Sequence, residues 1–364
     1  MRQLDRYVLA QLMGPLGFFA LIFAGLVWLT QSLQVIDTIV ASNQSAAVFL
    51  ELSALLLPSV MTIVLPISAF AASLFAINRL LTESELVVMM SAGRSPLSLA
   101  RPMFMLGLVA MVLTGILTLY LAPNAARELR DRTAEMRAEL ANSVLREGRF
   151  NHPVRGVTVY VRQANSAGDM LGIFIQDARG PGPSITYTAD QARLVQGPMS
   201  VQVILFDGTA QRFEDGGETL SLLEFERLAY DLGPLAEDTS NRRRKPREYT
   251  ALTLIDPPDE LWEGNEGRRA ELIAEGHDQI SGPLYALAFP ILALAAILGG
   301  SYRRAGFGRR IAIAVGIALT ARIVGLGLVP AVEQSASMWP ILYAPPLLLL
   351  AGSSAVLWRR GRRA

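Results

Sequence analysis

The sequence predicts an α+β membrane protein. Six transmembrane helices, three before and three after, flank an inserted all-β domain of jellyroll-like character. Three observations carry that prediction. Six windows are apolar on every face and long enough for a bilayer core, which takes roughly 20 helical residues. A long central segment is too polar to span and is built of short alternating runs. Arginine is rich in every second loop and absent from the two short alternate loops, which orients the spans. With 51% of its 364 residues hydrophobic and a mean hydropathy of +0.35, the chain lies well above an ordinary soluble domain.

The first window, about 12–36, is too long for the apolar region of a signal peptide and has no small-residue cleavage site behind it, so it is expected to stay as an anchor. Windows at about 48–77 and 102–122 follow, then about 280–300, 310–330 and 339–358. Pro58 and Pro66 are tolerable in a bundle whose other helices satisfy the carbonyls they free. Trp339 and Trp358 bracket the sixth window; a helical rise of ~1.5 Å per residue puts their indoles roughly 28 Å apart, suited to two interfacial belts.

Arg2 and Arg6 precede the first span, Arg79, Arg94 and Arg101 follow the second, Arg303, Arg304, Arg309 and Arg310 follow the fourth, and Arg359, Arg360, Arg362 and Arg363 follow the sixth. The alternate loops 37–47 and 331–338 hold no Lys or Arg but do hold Asp37 and Glu333. The positive-inside rule then places both termini in the cytoplasm and the central segment outside.

Three regions follow: 1–123 with spans one to three and a loop helix at 82–93, 124–279 as the β domain with flanking helices, and 280–364 with spans four to six and a basic tail. Asn124 to Leu145 continues the third span as a charged helix, and Asp259 to His277 leads back into the fourth. Between them, alternating runs at Val157–Val161, Leu171–Ile175, Ile185–Tyr187, Val201–Leu205 and Leu220–Leu232 are separated by Gly-Pro and Asp-Gly breaks, which reads as an all-β sandwich or roll. Val159, Val161, Ile173, Ile175 and Phe206 are the expected inward residues, as core packing. The run Arg242-Arg243-Arg244-Lys245 reads as a solvated loop.

Several function classes drop out. The chain has no Cys and only His152 and His277, so thiolate metal sites and Cys-based redox chemistry are excluded. A net charge of +1 gives no reason to expect nucleic acid. The sole lysine, Lys245, precedes Pro246, so no phosphate-cradling GxxxxGK[ST] loop exists. HExxH and GxSxG are also absent. No catalytic residue and no cofactor is expected in this chain.

The most informative stretch is Thr82-Glu83-Ser84-Glu85-Leu86-Val87-Val88-Met89-Met90-Ser91-Ala92-Gly93, a helix where a loop between spans needs only a turn. Thr82 and Glu85 have the spacing of a capping box, and Glu83 falls in the first turn, where the helix dipole favours an acid. Leu86, Val87, Met89 and Met90 form an apolar face that suits a partner, with methionine supplying adaptability. Gly93 fits the position that ends the helix. Glu85 has two open roles, cap of its own helix or acid facing a partner's cation.

This stretch resembles the coupling helix of the LptF/LptG (YjgP/YjgQ) permeases of lipopolysaccharide export. The likeness extends to Leu4-Asp5-Arg6-Tyr7, Leu65-Pro66, the mid-chain β domain and the three-plus-three spans. The Thr-Glu-Ser-Glu form is closer to the LptF branch, whereas Leu4-Asp5-Arg6-Tyr7 is similar to the LptG branch too. The resemblance implies half of an ABC-type permease in a bacterial inner membrane, pairing with an LptG-like chain as a heterodimer. An LptB-like ATPase dimer, carrying the ATP and Mg, would meet Glu83, Glu85, Leu86, Met89, Met90 and Gly93, with Glu85 opposite an arginine. Lipopolysaccharide would enter through gates of spans one and five and leave through periplasmic β domains toward LptC-like and LptA-like bridge proteins.

Arg322 lies inside the fifth span, and an intramembrane arginine marks a pathway or a buried pair. It is expected to face lipid phosphates or to pair with Asp37 or Glu333. Arg127, Arg130, Arg132 and Arg137 follow the third span; ordinary i,i+4 pairs such as Glu128–Arg132 compete with a headgroup-binding role. A membrane-anchored receptor or a scaffold for an envelope bridge is the alternative class. Pro-kinked spans and an intramembrane arginine favour transport.

Overall fold

The computed structural model describes residues 3–42, 45–92, 96–143, 148–154, 156–164, 169–179, 184–196, 201–214, 219–231, 244–299 and 307–362. The chain divides into two compact units. The first joins Met1–Val35, Leu50–Glu128 and Arg244–Ala364, and the second joins Ile36–Phe49 and Leu129–Arg243.

Helices α1 (Gln3–Ser42), α2 (Ala46–Thr82), α3 (Glu85–Ser91) and α4 (Pro96–Ile116) come first. A π-helical turn at Leu117–Leu121 leads into α5 (Ala122–Ser143). After the strands come the short α6 (Ala251–Ile255) and α7 (Asp259–Trp262), then α8 (Glu266–Leu298), α9 (Phe307–Gln334) and α10 (Ala344–Gly361). Among the described residues, six helices are long and apolar enough to cross a membrane. Each runs past the window that hydropathy marks, because charged residues with helical periodicity carry the helix beyond hydrocarbon depth. The fourth span shows this well: Asn265 accepts a hydrogen bond from the Arg268 amide at 3.1 Å and starts α8 well before the apolar stretch. The sixth is not one α-helix. Ala336–Tyr343 is 3₁₀, with a longer rise per residue, so a separation of Trp339 and Trp358 computed from α-helical rise is too short.

In the first unit, α8 and α2 are central, with 78% and 67% of their apolar windows buried, against 11% for α1 and 17% for α9. A Cβ placed on Gly107 would stand 3.0 Å from the Leu287 carbonyl oxygen, so α4 lies against α8 at a distance that glycine makes possible. His277 and His152 are hydrogen-bonded structural residues: His277 Nδ1 lies 3.0 Å from the Tyr343 hydroxyl and its ring stacks on Trp339, while His152 Nδ1 lies 3.0 Å from the Thr158 hydroxyl.

The second unit holds one antiparallel sheet whose strands follow chain order: β1 (Phe150–Val154), β2 (Val157–Ala164), β3 (Asp169–Asp177), β4 (Ile185–Gln196), β5 (Val201–Glu214) and β6 (Thr219–Asp231). Sequence alternation marks five of these. It misses β1, which contains Pro153 and does not alternate; a proline is tolerated there because the strand is an edge. The inward expectation holds for Val159, Val161, Ile173 and Ile175, which share a core with Val203, Leu205 and Tyr230. It fails for Phe206. Leu205 is the inward residue, and Phe206 lies on the opposite face beneath the Arg227 guanidinium, because Val203 and Leu205 set the phase of β5.

The sheet is curled. β3 and β6 are separated by β4 and β5, about 14 Å in a flat sheet. Yet the Tyr230 hydroxyl donates to Asp177 Oδ2 at 2.7 Å, and the Tyr187 and Tyr230 rings lie 5.1 Å apart. Arg179 holds the same carboxylate at 2.6 Å. That guanidinium lowers the Asp177 pKa to about 2, and the tyrosine hydroxyl adds to the effect. Burial, then the bond to Asp177, raises that of Tyr230.

A folded-state pKa below the ordinary carboxylate value means that this clasp stabilises above about pH 4 and is lost as pH falls toward 2. Tyr230→Phe should lower hydrogen-exchange protection of the β3 and β6 ends roughly fivefold at neutral pH, matching about 1 kcal/mol for the lost bond. Asp177→Asn should abolish the decline in protection that the unaltered chain shows between about pH 4 and pH 2.

Candidate functional site

The corner between α2 and α3 shows how the loop helix is built. Thr82 is still helical, and its hydroxyl donates back to the Asn78 carbonyl at 2.9 Å. The chain turns at Ser84, whose φ is +63°, an unusual value for a residue with a side chain. The Ser84 amide closes onto the Leu81 carbonyl, and its own carbonyl accepts the Val88 amide. Ser84 therefore ends one helix and starts the next. The expected capping box between Thr82 and Glu85 is absent, because the turn comes two residues later than a cap at Thr82 requires. Glu85 becomes the first residue of α3.

Both acids of this corner have partners within the chain. Glu83 pairs with Arg79 at 2.9 Å, one helical turn back, with both side chains about half exposed. Glu85 receives the Tyr7 hydroxyl of α1, at 2.9 Å from Oε2 and 3.1 Å from Oε1. Gln11 Nε2 donates to the same hydroxyl at 3.1 Å.

The expected apolar face is divided: Leu86 and Met89 turn inward, whereas Val87 stays outward as expected. Leu86 is 1% exposed and Met89 9%; both belong to the core that includes Val8, Leu12 and Leu16 of α1 and Ile77 and Leu80 of α2. The outward residues are Val87 and Val88, 45% and 64% exposed. In so short a helix Leu86 and Met89 share a face at i,i+3, and Val87 and Val88 fall on the other. The loop helix thus uses its larger apolar residues to attach itself and leaves two valines bare. The side chain of Met90, and Gly93 altogether, lie outside the described residues.

Arg322 of α9 does not meet Glu333, one of the two acids proposed for it. Glu333 lies three turns further along the same helix and is exposed, and the side chain of Asp37 lies outside the described residues. The acid opposite Arg322 is Asp278 of α8, with Nη1 to Oδ1 at 4.0 Å. The guanidinium also lies over the Tyr285 ring, 5.2 Å from its centroid. Its Nη1 is buried without a hydrogen-bond partner, while the side chain as a whole is 36% exposed. Tyr285 donates to the Ala321 carbonyl at 3.1 Å and presses on Gly325, where a Cβ would collide with the hydroxyl. Arg127, Arg130 and Arg132 lie on α5, exposed or half-buried, and each has an interaction partner in the chain. Arg137 has its side chain outside the described residues. The structure does not bring Arg322 to the loop helix. Among the described residues no cluster of His, Asp or Glu could hold a metal.

Tyr7, Val88, Asp278 and Tyr285 are the residues that the sequence reading did not assign. Val88 was within reach of a stricter helical count, and Asp278, two residues before the fourth apolar window, was a visible acid at the edge of a span. Nothing local links Tyr7 to a residue so far along the chain.

Comparison with known proteins bears on both units. An uncharacterized protein of Rickettsia prowazekii, RP871, is 28% identical over 283 residues, 77% of this chain and 77% of that protein. The lipopolysaccharide export system permease protein LptF of Escherichia coli K12 is 26% identical over 186 residues, 49% of this chain and half of that protein. Residues 6–359 match the family described as lipopolysaccharide export system permease LptF/LptG. Six apolar helices, three before and three after an inserted antiparallel sheet in the chain, with a folded loop helix after the second, thus belong to a member of the LptF/LptG family of lipopolysaccharide export permeases.

Proposed function

We propose that this chain is the LptF-type permease subunit of an ABC-type lipopolysaccharide exporter, working as a heterodimer with an LptG-like chain and driven by a separate LptB-like ATPase that binds the ATP and Mg. The observation that carries this reading is the loop helix α3. It is seated on the chain's own core by Leu86 and Met89, carries the acids Glu83 and Glu85 at its start, and leaves Val87 and Val88 bare. A transport chain without a phosphate-binding loop needs its energy delivered from outside, and a short rigid helix with a bare apolar ridge is a fitting port. The arginine-rich loops support a cytoplasmic position for that helix and both termini and a periplasmic one for the β domain, facing LptC-like and LptA-like partners. The bare flanks of α1 and α9 suit the second permease chain and the lipid path. Similarity to the Escherichia coli LptF supports the LptF assignment over LptG.

Purification of the chain with its membrane partners should bring an ATPase subunit whose hydrolysis rises with lipopolysaccharide; a complex without an ATPase would exclude the exporter reading. Val88→Asp should cost the fold under about 0.5 kcal/mol, because the position is exposed, yet reduce ATPase retention about tenfold or more, measured by quantitative co-purification. Leu86→Ala should act in the other way, destabilising the corner by roughly 2–4 kcal/mol in denaturant titration. A photocrosslinker at position 322 should capture lipopolysaccharide; capture of protein alone would assign Arg322 to the α8–α9 seam.

A further inference from the structure

The first turns of α1 are held differently from the rest of that helix. Val8, Leu12 and Leu16 are buried in the core that also takes Leu86 and Met89 of α3. Past that point α1 turns large apolar residues outward, with Leu21 76% exposed and Leu26 60%. Its further ties to α2 are an edge-on contact of Phe19 with Phe75 and the Trp28 indole bond to the Ser53 carbonyl at 2.9 Å. Apolar packing of this kind is non-directional and lets one helix slide on another. The Tyr7–Glu85 bond is directional and charge-assisted. Tyr7 is fully used: its hydroxyl donates to the carboxylate and accepts from Gln11.

We infer that Tyr7 is a positioning residue that ties the start of α1 to the loop helix, so that displacement of α3 by its partner is carried into the first span. This rests on the proposed docking of an ATPase at α3. Glu85 then acts first as an intrachain joint. Its carboxylate fixes α3 to α1 and leaves the docking itself to the bare valines and to whatever lone pairs remain.

The chain contains no cysteine, so one introduced cysteine reports without background. A Leu21→Cys chain carrying an environment-sensitive fluorophore is purified with its permease partner and ATPase in nanodiscs, and the emission change on adding ATP is read per bound ATPase. The unaltered joint should give a clear change. Tyr7→Phe, which keeps the ring and removes the hydroxyl, should reduce it about tenfold, the scale of one charge-assisted bond. Glu85→Gln, whose amide oxygen still accepts from Tyr7, should preserve most of it. A change that survives Tyr7→Phe overturns the inference, as does an unaltered chain that shows no change while its ATPase is bound and turning over. Absence of the ATPase from the preparation overturns the exporter reading, and the inference with it. The two failures are thus told apart by the subunit content of the same sample.

Discussion

A helix buried on every side dictates what its neighbours can do. α8 is such a helix, with 78% of its apolar window covered. In lipid no hydrophobic force drives helices together, so close packing of small residues must hold them. Gly107 lets α4 approach the Leu287 carbonyl, and Gly325 gives Tyr285 a seat on α9. Around this pillar α1 and α9 each contribute one covered face and leave the other bare. The bare faces are where lipid or a second chain has to lie. The seam between α8 and α9 is also where a cation and an acid, Arg322 and Asp278, meet at 4.0 Å. That distance is too long for a hydrogen bond, and one guanidinium nitrogen remains buried without a partner. The pair is electrostatic rather than locked, which keeps the arginine disposed toward any further anion that reaches the seam.

Much of the fold was legible because its strongest signals are local. Spans are read from hydropathy, and hydropathy is a property of each window alone. Their ends needed a second signal, helical periodicity in charged residues: the run from Asp259 to His277 was expected to lead into the fourth span, and α8 does begin within it, at Glu266. The strands followed from alternation except at β1, where Pro153 disturbs the pattern. Phe206 shows the limit of alternation near a bend: Asp207 has a φ of +49°, and an inward phase counted from the wrong side of it exchanges Phe206 for Leu205. A roll was among the readings of the strand pattern, but the contact that closes it was not legible, because Asp177 and Tyr230 are brought together only by rolling four strands.

The site was legible in place, and its orientation was misread for Leu86 and Met89 but not for Val87. A helix after the second span was expected, and it exists. Its apolar face was assigned outward because a membrane loop was assumed to have nothing inside to touch. The corner at Ser84 changes that, by folding α3 back onto the start of α1 and the end of α2 so that Leu86 and Met89 find a core. The same turn moved Glu85 from the third residue of the expected helix to the first residue of α3. Spacing in the sequence is identical in the two cases; only the conformation of Ser84 separates them.

What Glu85 can still offer a partner follows from valence. Glu83 and Arg79 form an exposed i,i+4 pair, weak because solvent screens it, which an arriving cation can displace at little cost. Glu85 need not be displaced. An ionised carboxylate has about four lone-pair sites, and one hydroxyl donor occupies at most one or two of them. A guanidinium approaching from the exposed side can therefore be received while Tyr7 keeps its bond. Gripping a partner and holding α1 are compatible uses of one side chain. An acid anchored only to its own short helix would transmit load to a loop, whereas one anchored to Tyr7 transmits it to a span.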